Sequence, residues 1–138
     1  MPLNFDLSGE DRLRVDQFFR ELVVSNHKRL SSLEERIESW RELVAEIEAG
    51  YPFTIDDYWN DVDTRTIVEQ ALEVLSPNGR STLARVLAPL DERFLRATRL
   101  IAEPWRTEGE VRNWPWTWYR IPHVLVEDLR NDVERMRL

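Results

Sequence analysis

The segment Asn113–Pro122, NWPWTWYRIP, carries three tryptophans at alternate positions, followed by an arginine. Successive side chains of an extended chain point to opposite sides, so an extended segment would place four side chains together: Trp114, Trp116, Trp118 and Arg120. Such a platform could stack a base, a sugar or a cationic group. The alternative is structural, because a tryptophan-rich segment can cover the open end of a helical bundle. The sequence favours closure of the core, and a mixed arrangement would leave one ring exposed beside Arg120.

Two acidic stretches could bind a positively charged partner. The outward face of a predicted second helix carries four glutamates: Glu35, Glu38, Glu42 and Glu46. The stretch DDYWNDVD carries four aspartates: Asp56, Asp57, Asp61 and Asp63. Like charges four residues apart on a helix cost a few tenths of a kcal/mol each, so such faces are tolerated rather than favoured. Solvated surfaces and helix capping are the simpler interpretation, and a docking surface for a basic protein is the functional one.

Metal and cofactor sites find little support in the sequence. A calcium loop that began at Asp61 would need glycine at its sixth position and glutamate at its twelfth, where the chain has Thr66 and Leu72. His123 and Glu127 are four residues apart, but no second histidine lies near them for a zinc or di-iron site. Glycine-rich phosphate loops and the nucleophile-elbow motif are absent. We therefore predict no metal and no cofactor.

One motif points to an enzyme. Arg20 and His27 enclose six residues in the stretch RELVVSNH. This stretch resembles the R-x(4–6)-H signature of HEPN ribonucleases, a family of small, helical and usually dimeric proteins that place these two residues at a dimer cleft. The resemblance covers eight residues, and the motif lies in the first predicted helix rather than late in the domain. It implies RNA cleavage by Arg20 and His27 as an alternative function.

Helix signals position these candidate residues. Apolar residues recur at helical spacing after Ser8, and Ser32 with Glu35 forms a capping-box pattern before a second amphipathic run that ends at Gly50. The later boundaries are predicted as follows: a helix from Thr54 with a kink or break near Asp63, a turn at 76–79, a helix after Ser81 that Pro89 kinks or restarts, and a last helix from Pro122. The segment 104–121 is predicted to be irregular. The sequence thus predicts an all-α, single-domain bundle of five to six helices over residues 1–138, with an irregular Trp-rich segment before the last helix.

The overall charge limits the kinds of partner. The 138 residues carry a formal net charge of −7 and no cysteine. Nucleic acids and anionic membranes attract basic proteins, so neither is an expected partner. No apolar run approaches the roughly 20 residues that span a bilayer, and the first residues lack the features of a signal peptide, so we expect a cytoplasmic location. A cationic partner protein suits the charge.

The sequence favours an interaction protein over an enzyme, because motifs for chemistry are almost lacking. The most concrete hypothesis is an inhibitor of the immunity or antitoxin type that binds a basic partner through the eight acidic residues named above. The alternatives are a HEPN-like ribonuclease and a small-ligand binder at the Trp-rich segment. No catalytic residue and no oligomeric state are predicted with the first hypothesis.

Overall fold

A computed structural model describes residues 5–26, 30–104 and 115–138 of the chain. Within these ranges the chain is mainly helical, which confirms the predicted all-α bundle. In chain order the elements are α1 (Gly9–Asn26), α2 (Leu33–Ala49), α3 (Ile55–Glu73), α4 (Pro77–Ala97), β1 (Thr98–Leu100), a 3₁₀ helix (Trp116–Tyr119), β2 (Arg120–Pro122) and α5 (Glu127–Met136). None of these helices combines the length and the apolar character that crossing a bilayer requires.

Side-chain caps fix where four of the helices begin, and at α1 the Ser8 hydroxyl accepts a hydrogen bond of 3.1 Å from the backbone N–H of Asp11. Ser32, Thr54 and Ser76 each accept a hydrogen bond from the backbone N–H three residues later, at the starts of α2, α3 and α4. The starts of α2 and α3 were predicted. That of α4 was not, because α4 begins at Pro77, so the predicted turn at 76–79 and the predicted start after Ser81 are wrong. Proline suits the first turn of a helix, where its missing N–H would have no partner, and Ser76 supplies the cap.

α3 runs without interruption from Ile55 to Glu73, so the kink or break predicted near Asp63 does not divide the helix. The apolar pattern slips at this point because Thr64 and Arg65 occupy core-facing positions and are buried. Hydrophobic periodicity identifies a buried face only where that face is apolar. The buried arginine therefore interrupts the apolar pattern of the sequence although the helix itself is continuous.

α4 is also one helix, and Pro89 lies inside it rather than at the start of a new one. Proline cannot donate a hydrogen bond to the carbonyl four residues earlier. That carbonyl belongs to Arg85, and both Pro89 and Arg85 are exposed. Water can satisfy the freed carbonyl, which lets the helix tolerate the proline.

α2 lies at the centre of the bundle and packs against both α3 and α4. Trp40 of α2 is completely buried, and its ring contacts Phe94 of α4 with the ring centroids 4.9 Å apart. α5 packs against α3, where the Asp132 carboxylate accepts a hydrogen bond of 2.8 Å from the backbone N–H of Ile55. The core is therefore continuous from α2 to the C-terminal helix.

The described residues between α4 and α5 are more regular than predicted. β1 and β2 pair in antiparallel register, with Thr98 opposite Pro122 and Leu100 opposite Arg120. Pro122 therefore ends a strand, and the last helix begins five residues later, at Glu127. A proline fits the end of a short edge strand because it has no N–H to donate to a further strand.

The tryptophans do not form the extended platform that the alternating pattern suggested. Residues 116–119 form a 3₁₀ helix, which has about three residues per turn, so residues two apart do not share a face. Trp118 is 8% exposed and belongs to the core, whereas Trp116 is 38% exposed. Trp114 lies outside the described residues. Trp118 therefore helps to close the core, whereas the ring of Trp116 is only partly buried.

The two rings should contribute differently to stability. We expect Trp118→Ala to lower the free energy of unfolding by about 3–5 kcal/mol, the usual cost of deleting a buried large aromatic side chain. Trp116→Ala should cost clearly less, since its ring already lies partly in water. Urea denaturation followed by circular dichroism measures both losses. Equal losses, or a larger loss for Trp116→Ala, would contradict this assignment of the two rings.

Asp11 of α1 connects the first helix to the start of α4. Its carboxylate accepts hydrogen bonds from the backbone N–H of Ser76 at 2.8 Å and from the Ser76 hydroxyl at 2.6 Å. The fit is close, since a Cβ placed on Gly79 would lie 2.5 Å from Asp11 Oδ2. The hydrogen bonds from Ser76 hold the pKa of Asp11 below its ordinary value.

This connection should make stability depend on pH at the acidic end. Because the folded state lowers the pKa of Asp11, its contribution is complete above the unfolded pKa of about 3.9 and is lost as the pH falls through the folded pKa. Asp11→Asn should therefore lose less stability between pH 7 and acid than the unmodified protein does. Denaturation curves at several pH values measure this, with Asp6→Asn, an exposed aspartate of the same chain, as the control. The same acid loss in both variants would rule out this role for Asp11.

Candidate functional site

α2 and α3 enclose a surface groove of about 300 Å³ between them. Glu42 and Glu46 line it from α2, and Asn60, Asp61 and Thr64 line it from α3. The groove is completed by Arg36, Ser39 and Leu43. The structure thus brings members of the two predicted acidic stretches into one site, which we call the acidic groove.

The lining of the acidic groove carries an excess of negative charge. Three carboxylates, those of Glu42, Glu46 and Asp61, face one guanidinium, that of Arg36, so the formal lining charge is −2. Arg36 is itself held by the Ser31 hydroxyl, which accepts a hydrogen bond of 2.9 Å from its Nε. A groove of one sign concentrates its field between low-dielectric walls and attracts groups of the opposite sign.

A buried tyrosine supports one of these carboxylates. Tyr51 is fully buried, and its hydroxyl donates a hydrogen bond to the Asp61 carboxylate. Burial and the hydrogen bond to Asp61 both raise the pKa of Tyr51, so its hydroxyl keeps its proton and remains a donor. The Tyr51 hydroxyl therefore holds Asp61 in place from below, although Asp61 is exposed, as are Glu42 and Glu46 on α2.

Thr64 adds a polar group without a partner to the groove lining. The residue is only 7% exposed, and its Oγ1 finds no hydrogen-bond partner in the described part of the chain. A threonine hydroxyl in a helix often donates to the carbonyl four residues earlier, and this one does not. A buried polar atom left unpaired costs free energy, so an incoming hydrogen-bonding group would gain from meeting it.

The other predicted acidic residues do not line the acidic groove. Glu35 lies at a separate depression on the α1 side, and Glu38 forms an ion pair of 2.6 Å with the arginine three residues later. Asp57 completes the capping box of α3, and Asp56 is exposed in the same first turn. Asp63 is half-buried on α3. Sequence reasoning therefore identified three of the groove's charged residues among eight candidates, without indicating which ones meet.

Arg120 has a structural position rather than a place beside an aromatic platform. Its Nε donates to the Thr98 hydroxyl at 2.8 Å, and its Nη2 donates to the carbonyls of Thr98 and Leu95 at 2.8 and 3.1 Å. These bonds join β2 to β1 and to the last turn of α4. Of the predicted site of tryptophans and Arg120, Trp114 lies outside the described residues, Trp118 is buried in the core, and the guanidinium over the Trp116 ring is that of Arg65.

The structure describes one of the two residues of the ribonuclease-like motif. Arg20 is exposed on α1 and lines the depression that also contains Asp16 and Glu35. His27 lies outside the described residues, so catalysis by this pair stays a prediction. Within the described ranges, no group of three or more His, Asp or Glu side chains is arranged to hold a metal ion.

Comparison of the chain with protein-family models, with curated proteins and with solved structures gives no match. The chemistry of its surface is therefore what points to a function.

A charge cluster around the buried Arg65 of α3 was not predicted from the sequence. Arg65 donates from Nε and Nη2 to the two oxygens of Asp91 on α4, at 3.0 and 2.9 Å. Its Nη1 donates to Glu69 at 2.8 Å, and its guanidinium lies 5.7 Å from the centre of the Trp116 ring. Asp91 also accepts a hydrogen bond of 3.0 Å from the indole N–H of Trp40. We call these residues the Arg65 cluster.

The cluster keeps Arg65 charged inside the protein. Burial alone would lower its pKa, but the hydrogen bonds and charges of Asp91 and Glu69 outweigh burial and raise the pKa of the guanidinium. The spacing of Arg65 and Glu69, four residues apart, is visible in the sequence. The partner that matters most, Asp91, is 26 residues away on another helix, and no local pattern marks it.

Removing Asp91 should therefore be costly. Asp91→Ala leaves a buried guanidinium with only Glu69 as a charged partner, and we expect a loss of about 3 kcal/mol in the free energy of unfolding. Glu92→Ala is the matched control, because it removes an exposed carboxylate from the next position on α4 and should change stability by less than about 0.5 kcal/mol. Urea denaturation of both variants decides: similar small losses would mean that the ion pair has little structural weight.

Proposed function

We propose that the chain is a small acidic interaction domain that binds a basic partner protein through the acidic groove. The observation that carries this proposal is the convergence of Glu42, Glu46 and Asp61 from two helices on one concave site. In its most concrete form the domain acts in the cytoplasm as an inhibitor of the immunity or antitoxin type, and it covers a basic cleft on its target. The net charge of −7 supports attraction over a distance as well as in the contact.

The groove suits the side chains of arginine and lysine. The Asp61 carboxylate can accept the parallel N–H groups of a guanidinium, which is the geometry that gives charge-assisted hydrogen bonds their strength. The hydroxyl of Thr64 and the side-chain amide of Asn60 offer further acceptors in the same lining. An inserted basic side chain would thus meet both charge and hydrogen-bonding partners.

The residues that speed association with the partner should be separable from those that hold the bound partner. The exposed carboxylates of Glu42 and Glu46 act at long range on the encounter, so they govern the association rate. Asp61, which the Tyr51 hydroxyl holds in place, and its neighbours Asn60 and Thr64 act once the partner side chain has entered the groove. In such interfaces a few central residues carry most of the binding energy, while rim charges affect mainly the rate of association.

Charge reversal tests the proposal. Glu42→Lys with Glu46→Lys should slow association with a basic partner captured from the native host by about tenfold or more at low salt, with little change in dissociation. The effect should shrink near 1 M salt, where the screening length falls to about 3 Å. Surface-based binding kinetics at several salt concentrations give both rates.

The control pair is Glu92→Lys with Glu134→Lys, which changes the net charge by the same amount at exposed positions of α4 and α5 outside the groove. This pair should slow association only by the share that comes from net charge. Equal slowing by both pairs would show that the groove has no special part, and an acidic partner, or an association rate that ignores salt, would contradict the proposal altogether.

A further inference from the structure

A second concave site lies on the opposite side of α3 from the acidic groove. It has a volume of about 190 Å³ and is formed where one face of α3 meets the 3₁₀ helix. Its lining, which we call the Trp116 pocket, consists of Arg65, Thr66, Glu69, Gln70, Glu73, Pro115, Trp116 and Thr117. No residue of the acidic groove contributes to it.

Two hydroxyl groups of this lining have no hydrogen-bond partner within residues 5–26, 30–104 and 115–138. Thr117 is 1% exposed, and neither its Oγ1 nor that of Thr66 has a hydrogen-bond partner among the residues that the structure describes. Buried polar atoms are almost always paired, because an unpaired one loses its bonds to water without replacement. Both residues line the same pocket, so a molecule bound there is a candidate partner for the two hydroxyls.

The charges of the pocket select the sign of that molecule. Arg65 is neutralised twice, by Asp91 and by Glu69, so the Arg65 cluster carries a formal charge of −1. Glu73, which is exposed at the pocket, adds a second negative charge. An anion would meet this negative lining, whereas a cation would be attracted to it.

The apolar part of the lining selects the remaining chemistry. Trp116 packs edge-on against Phe94, with ring centroids 5.5 Å apart, and leaves 38% of its surface exposed. An indole ring beside a carboxylate is a favourable setting for an organic cation, because the ring attracts positive charge and also covers an apolar stem. The pocket volume of about 190 Å³ exceeds what a single water needs, so the pocket can take a short alkyl chain with a charged head.

We propose that the Trp116 pocket binds a small organic cation, an alkylammonium or alkylguanidinium. In this assignment Glu73 pairs with the charged head, Thr66 and Thr117 accept its N–H groups, and Trp116 covers its stem. The site is distinct from the acidic groove, so the inference goes beyond the proposed binding of a basic protein and does not depend on it.

The first test is a titration with defined probes. The ¹H–¹⁵N spectrum resolves indole N–H signals, and Trp116→Phe identifies that of Trp116. n-Butylammonium and n-butylguanidinium should shift this signal and saturate, whereas 1-pentanol and butyrate at equal concentration and ionic strength should not. Equal shifts with 1-pentanol would mean a merely apolar pocket, and no saturable shift with either cation would overturn the proposal.

Two variants separate binding from folding. Thr117→Val replaces the unpaired hydroxyl by a methyl group of the same size, so thermal stability should stay equal or rise while affinity for n-butylammonium falls about tenfold, as expected for a lost hydrogen bond to a charged group. Glu73→Gln should weaken binding similarly, and it decides the question if Thr117→Val proves unstable. The matched control is Glu134→Gln, an exposed glutamate on α5. Unchanged affinity in Glu73→Gln contradicts the proposal whatever the result at Thr117.

Discussion

The Asp91 carboxylate holds together the three helices on which both surface sites depend. This carboxylate lies on α4. It accepts two hydrogen bonds from the guanidinium of Arg65 on α3 and one from the indole N–H of Trp40 on α2. Two apolar helix faces can slide along each other at small cost, whereas a buried charged pair tolerates only one register, because every other register leaves a charge without its partner. The pair therefore fixes the rotation of α3 relative to both of its neighbours.

That rotation decides what the two sides of α3 can do. Thr64 and Arg65 are adjacent in the sequence, and in a helix adjacent side chains point about 100° apart. With Arg65 directed to Asp91 and the 3₁₀ helix, Thr64 and Asp61 are left on the side of α2, where they meet Glu46. The acidic groove and the Trp116 pocket are thus consequences of a single orientation, and each is built largely from α3 residues that the core does not use.

The sequence predicts those features that arise within a few residues. The caps at Ser32 and Thr54 and the end of α2 at Gly50 depend on local hydrogen bonds, and the structure confirms them. Features that depend on distant partners were missed. No sequence pattern indicates the pairing of Arg65 with Asp91, so Arg65 interrupts the apolar pattern of α3 without an apparent reason. The alternating tryptophans suggested a strand, but the 3₁₀ helix at residues 116–119 separates their side chains. Of the eight acidic candidates, the packing of α2 on α3 brings three into one groove, and their binding of a partner stays a prediction.

Selection by packing also explains how an acidic domain of this kind can stay folded. Repulsion between glutamates on one exposed helix costs little because water screens it, and Glu42 and Glu46 remain on the exposed side of α2. Asp61 gains a hydrogen bond from the buried Tyr51 hydroxyl, which offsets part of the cost of bringing a third carboxylate to the groove. The remaining excess of negative charge is left uncompensated within the described groove lining. A positively charged group that enters the groove would relieve this repulsion, so the same charges that weaken the isolated domain slightly would strengthen its complex with a basic partner.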